Sequence, residues 1–160
     1  MVFAKTSKAA GRLSKQIQEK EFKKEYLAVV DGKFQNKCGT LEDYLIKNEK
    51  KNMSKVVDKN IKNSKYSKLD YEVLYYNEEI NMSVVKIVLH TGRHHQIRVQ
   101  LANINHSISG DQKYGTRGRG KQIALWAYKL LIKHPITEEE MEFTDFPEKI
   151  GSWAILNNFM

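Results

Sequence analysis

The stretch LDYEVLYYNEEINMSVVKIVLHTGRHHQIRVQLANI, Leu69–Ile104, changes its hydrophobic period once and its direction twice. Leu69, Tyr71, Val73 and Tyr75 recur at every second position, the period-2 pattern of a half-buried strand. NEEIN, Asn77–Asn81, is a turn, and Val85, Ile87 and Leu89 resume the alternation, so the two runs form a β-hairpin. After Thr91-Gly92 the spacing becomes helical, with Ile97, Leu101 and Ile104 on one stripe. A hairpin feeding directly into an amphipathic helix is the nucleus from which the rest is assigned.

Upstream, Thr6 or Ser7 offers a helix N-cap, and Ala9, Leu13 and Ile17 recur at helical spacing opposite a basic face containing Lys8, Arg12, Lys15 and Lys20. Met1–Ala4 read as the end of a strand entered part-way. Tyr26–Val30 form a further strand, stopped at Asp31-Gly32. Residues 36–67 are rich in Lys and Asn with isolated apolar residues such as Val56 and Val57; they read mostly as loop with short edge strands. The charged residues there are assigned to edge protection ahead of a dedicated RNA-binding arm. Downstream, ISGDQKYGTRGRGKQ is a Gly-rich basic loop, two strands flank His134-Pro135, and Pro147 stands near the first turn of a closing helix. Clustered strands with few helices and no βαβα alternation give an α+β domain with a mainly antiparallel sheet.

The chain has 160 residues, enough for one domain over residues 1–160 with an apolar core. A formal charge of +8 favours polyanionic partners, nucleic acid first. A single cysteine, Cys38, excludes an internal disulfide framework and fits a reducing compartment, with cytoplasm as the expected location. No apolar run reaches the length of a membrane-spanning helix, and the first residues lack a signal-peptide pattern.

Chemistry concentrates in TGRHHQIR, Thr91–Arg98. The strand-to-helix turn would present backbone amides near Arg93 and His94, suited to phosphate. Arg98, beside Ile97 at the edge of the stripe, would be partly buried and need an anionic partner. His94 and His95 are adjacent and would project differently from a helix, and neither His106 nor His134 completes a metal-binding pair, so no metal site is expected. No nucleophile-elbow motif is present. Asp111 in SGDQKYG reads as turn chemistry, and Lys113, Arg117, Arg119 and Lys121 as a mobile phosphate-contacting loop.

Together these segments resemble one family, the RluA-type RNA pseudouridine synthases. FAKTSKAA (3–10), EFKKEYLAVVDG (21–32), HTGRHHQIRVQLA (90–102), SISGDQKYG (107–115) and HPITEEEMEF (134–143) stand in family order over nearly the whole chain. The resemblance implies a pseudouridine-synthase fold: a mixed, mainly antiparallel sheet with flanking helices and an RNA cleft. It also implies isomerisation of uridine in ribosomal or transfer RNA. The uridine is flipped out, an aspartate opens the N-glycosidic bond, and the rotated uracil rejoins the ribose through C5, with no metal or cofactor.

By motif position, Tyr26 corresponds to the tyrosine that stacks on the base and is a candidate for handling the C5 proton. Arg98 corresponds to the arginine that ion-pairs with the catalytic aspartate. Arg93, His94, Gln96, Lys113, Arg117 and Leu125 are the candidate substrate-binding residues, although IALWAYKL (123–130) has Trp126 where the family commonly has histidine. The family's H-R-L-D-x-x-T-S-G segment, which carries the aspartate and precedes FAKT, is not in this sequence. Asp31, Asp70 and Asp111 stand in other contexts. The expectation is an N-terminally incomplete catalytic domain, inactive alone, which would self-associate or pair with the missing segment. A noncatalytic basic RNA-binding module is the alternative.

Overall fold

In the computed structural model, residues 2–19, 21–115 and 122–158 are described. Helix α1 spans Ser7–Gln18. Strands follow as β1 (Lys23–Asp31), β2 (Cys38–Asn48), β3 (Met53–Val57), β4 (Lys65–Asn77) and β5 (Met82–Leu89), then helix α2 (Gln96–Asn103), β6 (Leu125–Lys133), β7 (Glu140–Thr144) and a 3-10 helix at Gly151–Asn158. The strands form one seven-stranded sheet ordered β3-β2-β4-β5-β1-β6-β7. Each neighbouring pair is antiparallel. This is the α+β architecture expected.

The hairpin at the centre of the reading is β4–β5, with Tyr71 opposite Ile87 and Leu69 opposite Leu89. Strand β1 inserts between β5 and β6, so Ala28, Val29 and Val30 are completely buried; they join Leu69, Val84, Val85 and Ile87 in the core. Ile97 and Leu101 of α2 seal that core together with Ile108, Ile155 and Leu156. Past Leu125, the segment 107–109 replaces β6 as the neighbour of β1. The Asp31 N–H donates to the Ser107 carbonyl at 2.9 Å and the Ser109 N–H to the Val29 carbonyl at 2.8 Å. That replacement carries the chain back past the end of β1 towards α2.

Residues 36–67 depart most from the expectation. They hold two strands, β2 and β3, of which β2 is eleven residues long. One charged pair links β2 to its neighbour: Lys68 of β4 is directly opposite Glu42 of β2, and their side chains meet at 2.7 Å. Helix α1 is capped by Thr6, whose Oγ1 accepts the Ala9 N–H at 3.2 Å. Its buried stripe is turned from the one expected: Ile17 is exposed and Gln16 is buried. The Gln16 amide exchanges two hydrogen bonds with the Lys133 backbone, docking the helix on the end of β6. Val2–Ala4 form no strand and Phe3 is exposed. The closing helix is 3-10 and starts at Gly151, beyond Pro147. Among the described residues no helix is long and apolar enough to cross a membrane.

Candidate active site

Arg98, on α2, meets Asp111 in the loop that follows. Arg98 Nε donates to Oδ2 at 2.8 Å and Nη2 to Oδ1 at 2.7 Å, a fork-to-fork pair. The Asp111 side chain is 0% exposed and that of Arg98 19%. Oδ1 of Asp111 also accepts the backbone N–H groups of Lys113 and Tyr114, at 2.9 and 3.1 Å. Burial pushes the Asp111 carboxyl up, but the Arg98 hydrogen bonds, the two backbone donors and the Arg98 charge outweigh it and hold the group below its usual range. The hydrogen bond that Arg98 donates to Asp111 raises Arg98 in turn.

The loop geometry depends on two glycines. Gly110 has φ +76°, and a Cβ at Gly115 would collide with the Asp111 carbonyl oxygen. The Gly115 N–H donates to that same oxygen at 2.9 Å, closing the turn. Asp111 is therefore a turn residue, as read, and also the carboxylate partner of Arg98, which the sequence reading did not assign. The signal available was the Gly-Asp-x-x-Tyr-Gly spacing, which brackets an aspartate between two conformationally demanding positions.

Tyr114 ties this pair to the sheet. Its ring lies 5.1 Å from the Arg98 guanidinium carbon. Its hydroxyl accepts the Ser54 N–H of edge strand β3 at 2.6 Å and shares a hydrogen bond with His95 Nδ1 at 3.0 Å. Burial, followed by the charge of Arg98, lowers His95 to about 4, so the ring is neutral at pH 7. His95 has φ 52° and stands at the N-cap of α2 with no side-chain bond to the helix backbone. Because neither ring stands within the helix, His94 and His95 do not diverge as expected; they stack at 3.8 Å. His94 bonds Ser54 Oγ through Nδ1 and faces Asn52 Oδ1 through Nε2, at 2.9 and 3.0 Å.

The other candidate residues fall in separate places. Gln96 is buried, and its amide is spent on the turn: Oε1 accepts from Thr91 Oγ1 and the Arg93 N–H at 2.8 and 3.0 Å, and Nε2 donates to the Lys68 carbonyl at 3.1 Å. The Arg93 amide expected to be open to phosphate is thus occupied. The Arg93 side chain is exposed, with Nε held by the Tyr66 carbonyl at 2.8 Å. Lys113 Nζ donates to the Asn52 carbonyl at 2.9 Å. Arg117, like Arg119 and Lys121, lies outside the described residues.

Tyr26 and Leu125 form a second group on the central strands. Tyr26 is opposite Ile87 and Ala127, beside a break in the β1–β6 register after Glu25, and Leu125 is opposite Ala28. Such irregularities re-aim side chains. Tyr26 is half-buried and burial raises its hydroxyl, keeping it neutral. No ring contact or hydrogen bond joins it to the Arg98 group among the described residues. Nor do three or more His, Cys, Asp or Glu side chains converge there as a metal-ligand set.

Residues 1–103 match the RNA pseudouridylate synthase family. The chain belongs to that family. It is 34% identical over 142 residues to an uncharacterized RNA pseudouridine synthase, YhcT, of Bacillus subtilis, covering 87% of this chain and 45% of the relative. Two proteins of Haemophilus influenzae extend the comparison. Ribosomal large subunit pseudouridine synthase D is 33% identical over 89% of this chain and 47% of its own length. tRNA pseudouridine synthase C is 30% identical over 90% and 67%. The solved structure of human RNA Pseudouridylate Synthase Domain Containing 1 superposes with a TM-score of 0.80 at 26% identity, over 94% of this chain and 64% of that one. The chain thus spans less than half the length of the first two relatives.

Proposed function

We propose that this chain is the part of an RNA pseudouridine synthase that carries the base-facing tyrosine and the arginine network, serving uridines in ribosomal or transfer RNA, and that its 160 residues alone turn over no uridine. The observation that carries the second half is the state of Asp111. Its carboxylate is 0% exposed and already engaged by Arg98 and two backbone amides, so it cannot reach a ribose C1′. In the family's reaction the N1–C1′ bond breaks, a C5–C1′ bond forms, the C5 proton leaves and N1 takes up a proton. Neutral Tyr26, half-buried on a central strand, has a flat ring suited to stacking on the base and a hydroxyl suited to proton handling. Among the described residues Asp111 engages only Nε and Nη2 of Arg98, which leaves Nη1 for a second carboxylate.

Tritium release from uridine-labelled RNA tests this. The purified chain should release none, and addition of a polypeptide bearing H-R-L-D-x-x-T-S-G should restore release. In the restored enzyme, Arg98→Ala and Tyr26→Phe should lose isomerisation far more than RNA binding. Turnover by the chain alone would overturn the inactivity. Salt-sensitive RNA binding that no added segment converts into isomerisation would support the noncatalytic module instead.

A further inference from the structure

We infer that the lysines of residues 47–65 form a docking surface for RNA phosphates outside the reacting nucleotide. The inference rests on the RNA reading above and names a surface that reading does not use. Residues 47–65 hold seven lysines and two acids, a net +5 of the chain's formal +8. All seven lysines are exposed. Lys47 is neutralised by Glu49 at 2.6 Å. The other six have no ion-pair partner among the described residues.

Edge protection does not account for them. Only Lys55 lies on the edge strand β3; Lys50 and Lys51 are in the β2–β3 turn and Lys59 and Lys62 in the β3–β4 connection. Tyr44 of β2 is opposite Val57 on one side and Tyr66 on the other, so the 58–64 connection crosses β2 at that level, and its lysines and those of the β2–β3 turn flank the two ends of the five-residue strand β3 at this corner of the sheet.

The corner is also anchored. Asn48 Oδ1 accepts the Lys51 N–H at 3.0 Å and Asp58 Oδ1 the Asn60 N–H at 2.8 Å, ordering the two turns. Lys113 Nζ binds the Asn52 carbonyl and Tyr114 the Ser54 N–H, fastening the hairpin to the loop that carries Asp111. Arg93, pinned through Nε to Tyr66, continues the positive surface towards α2. Positive charge held at defined positions beside a nucleotide site suits an extended phosphodiester chain, whose repeated charges reward several contacts at once.

The experiment compares the chain with K50Q/K51Q/K59Q/K62Q and with K5Q/K8Q/K23Q/K24Q, which removes the same charge from α1, the residues just before it and β1. Binding of a fluorescein-labelled RNA stem-loop is titrated over a salt series, with phosphatidylserine-containing vesicles as a second probe. The turn variant should bind RNA about tenfold or more weakly at low salt, with a log–log salt slope smaller by about 3, from four contacts at about 0.7 to 0.9 each. Its thermal midpoint should be unchanged, and the control should lose much less. Equal losses in both variants, unchanged RNA binding by the turn variant, or a loss confined to vesicles would overturn the inference. Absence of RNA binding by the unaltered chain would instead overturn the RNA reading itself.

Discussion

Arg98 and Asp111, thirteen residues apart in the chain, close a two-point ion pair at 2.7 and 2.8 Å whose carboxylate is fully buried. Removing one partner leaves the other stranded in a low-dielectric site. Arg98→Ala should destabilise the chain by about 3 kcal/mol, the lower end for breaking a buried pair because the guanidinium keeps some solvent contact. Asp111→Ala should cost a similar amount, and the double variant should cost clearly less than the two singles together. Urea unfolding of the four proteins measures this coupling. Additive losses would show that the pair contributes no mutual stabilisation.

Tyr114→Phe removes the oxygen shared by the Ser54 N–H and His95 Nδ1 while keeping the ring over Arg98. The Ser54 amide is then left without its acceptor, a loss of about 1 to 3 kcal/mol. Hydrogen exchange should speed up at Ser54, where β3 is fastened to the loop. Unchanged protection there would show that β3 is held by its pairing with β2 alone.

Gly115→Ala places a methyl against the Asp111 carbonyl oxygen, a backbone atom that cannot swing aside. The turn must shift, costing about 1 to 3 kcal/mol as overpacking does, and the Asp111 carboxylate moves with it. A lowered thermal midpoint accompanied by a changed Arg98 Nε–H resonance is expected. Loss of stability without movement of that resonance would confine the strain to Gly115.

Acid should weaken the fold in two stages. His95 is depressed from its ordinary value of 6.5 to about 4, so above 6.5 it is neutral folded or unfolded. Between 6.5 and about 4 the unfolded chain binds the proton more readily, and stability falls as pH falls through that window. Asp111 is lowered from 3.8, so its contribution is present above 3.8 and disappears as pH drops through its folded value. Urea midpoints across this range should show both stages, and His95→Gln should flatten the first. An NMR titration placing His95 near its ordinary value would remove the first stage.

Much of the fold was legible because its central elements bury one face or both. The alternation in β4 and β5, the run Leu27–Val30 and the stripe Ile97–Leu101 all report contact with the core. β2 and β3 were not legible for the opposite reason. Their half of the sheet is lightly covered, and pairs such as Glu42–Lys68 put charge where a buried strand would carry alternating apolar residues. Gln16 replaced Ile17 in the α1 stripe because a backbone edge on β6, invisible in the sequence, offered its amide two partners.

The site divides the same way. TGRHHQIR and GDQKYG by themselves determined the family, the need of Arg98 for an anion and the turn around Asp111, because local spacing carries that information. Only tertiary structure decided that these were one feature. The segment 107–109 replaces β6 beside β1 and returns the chain to α2, and that long-range path sets the Asp111 carboxylate on the Arg98 guanidinium. The same packing turned Gln96 inward and drew the β2–β3 hairpin against Tyr114. Periodicity records which face a residue buries; it does not record which distant group meets it there.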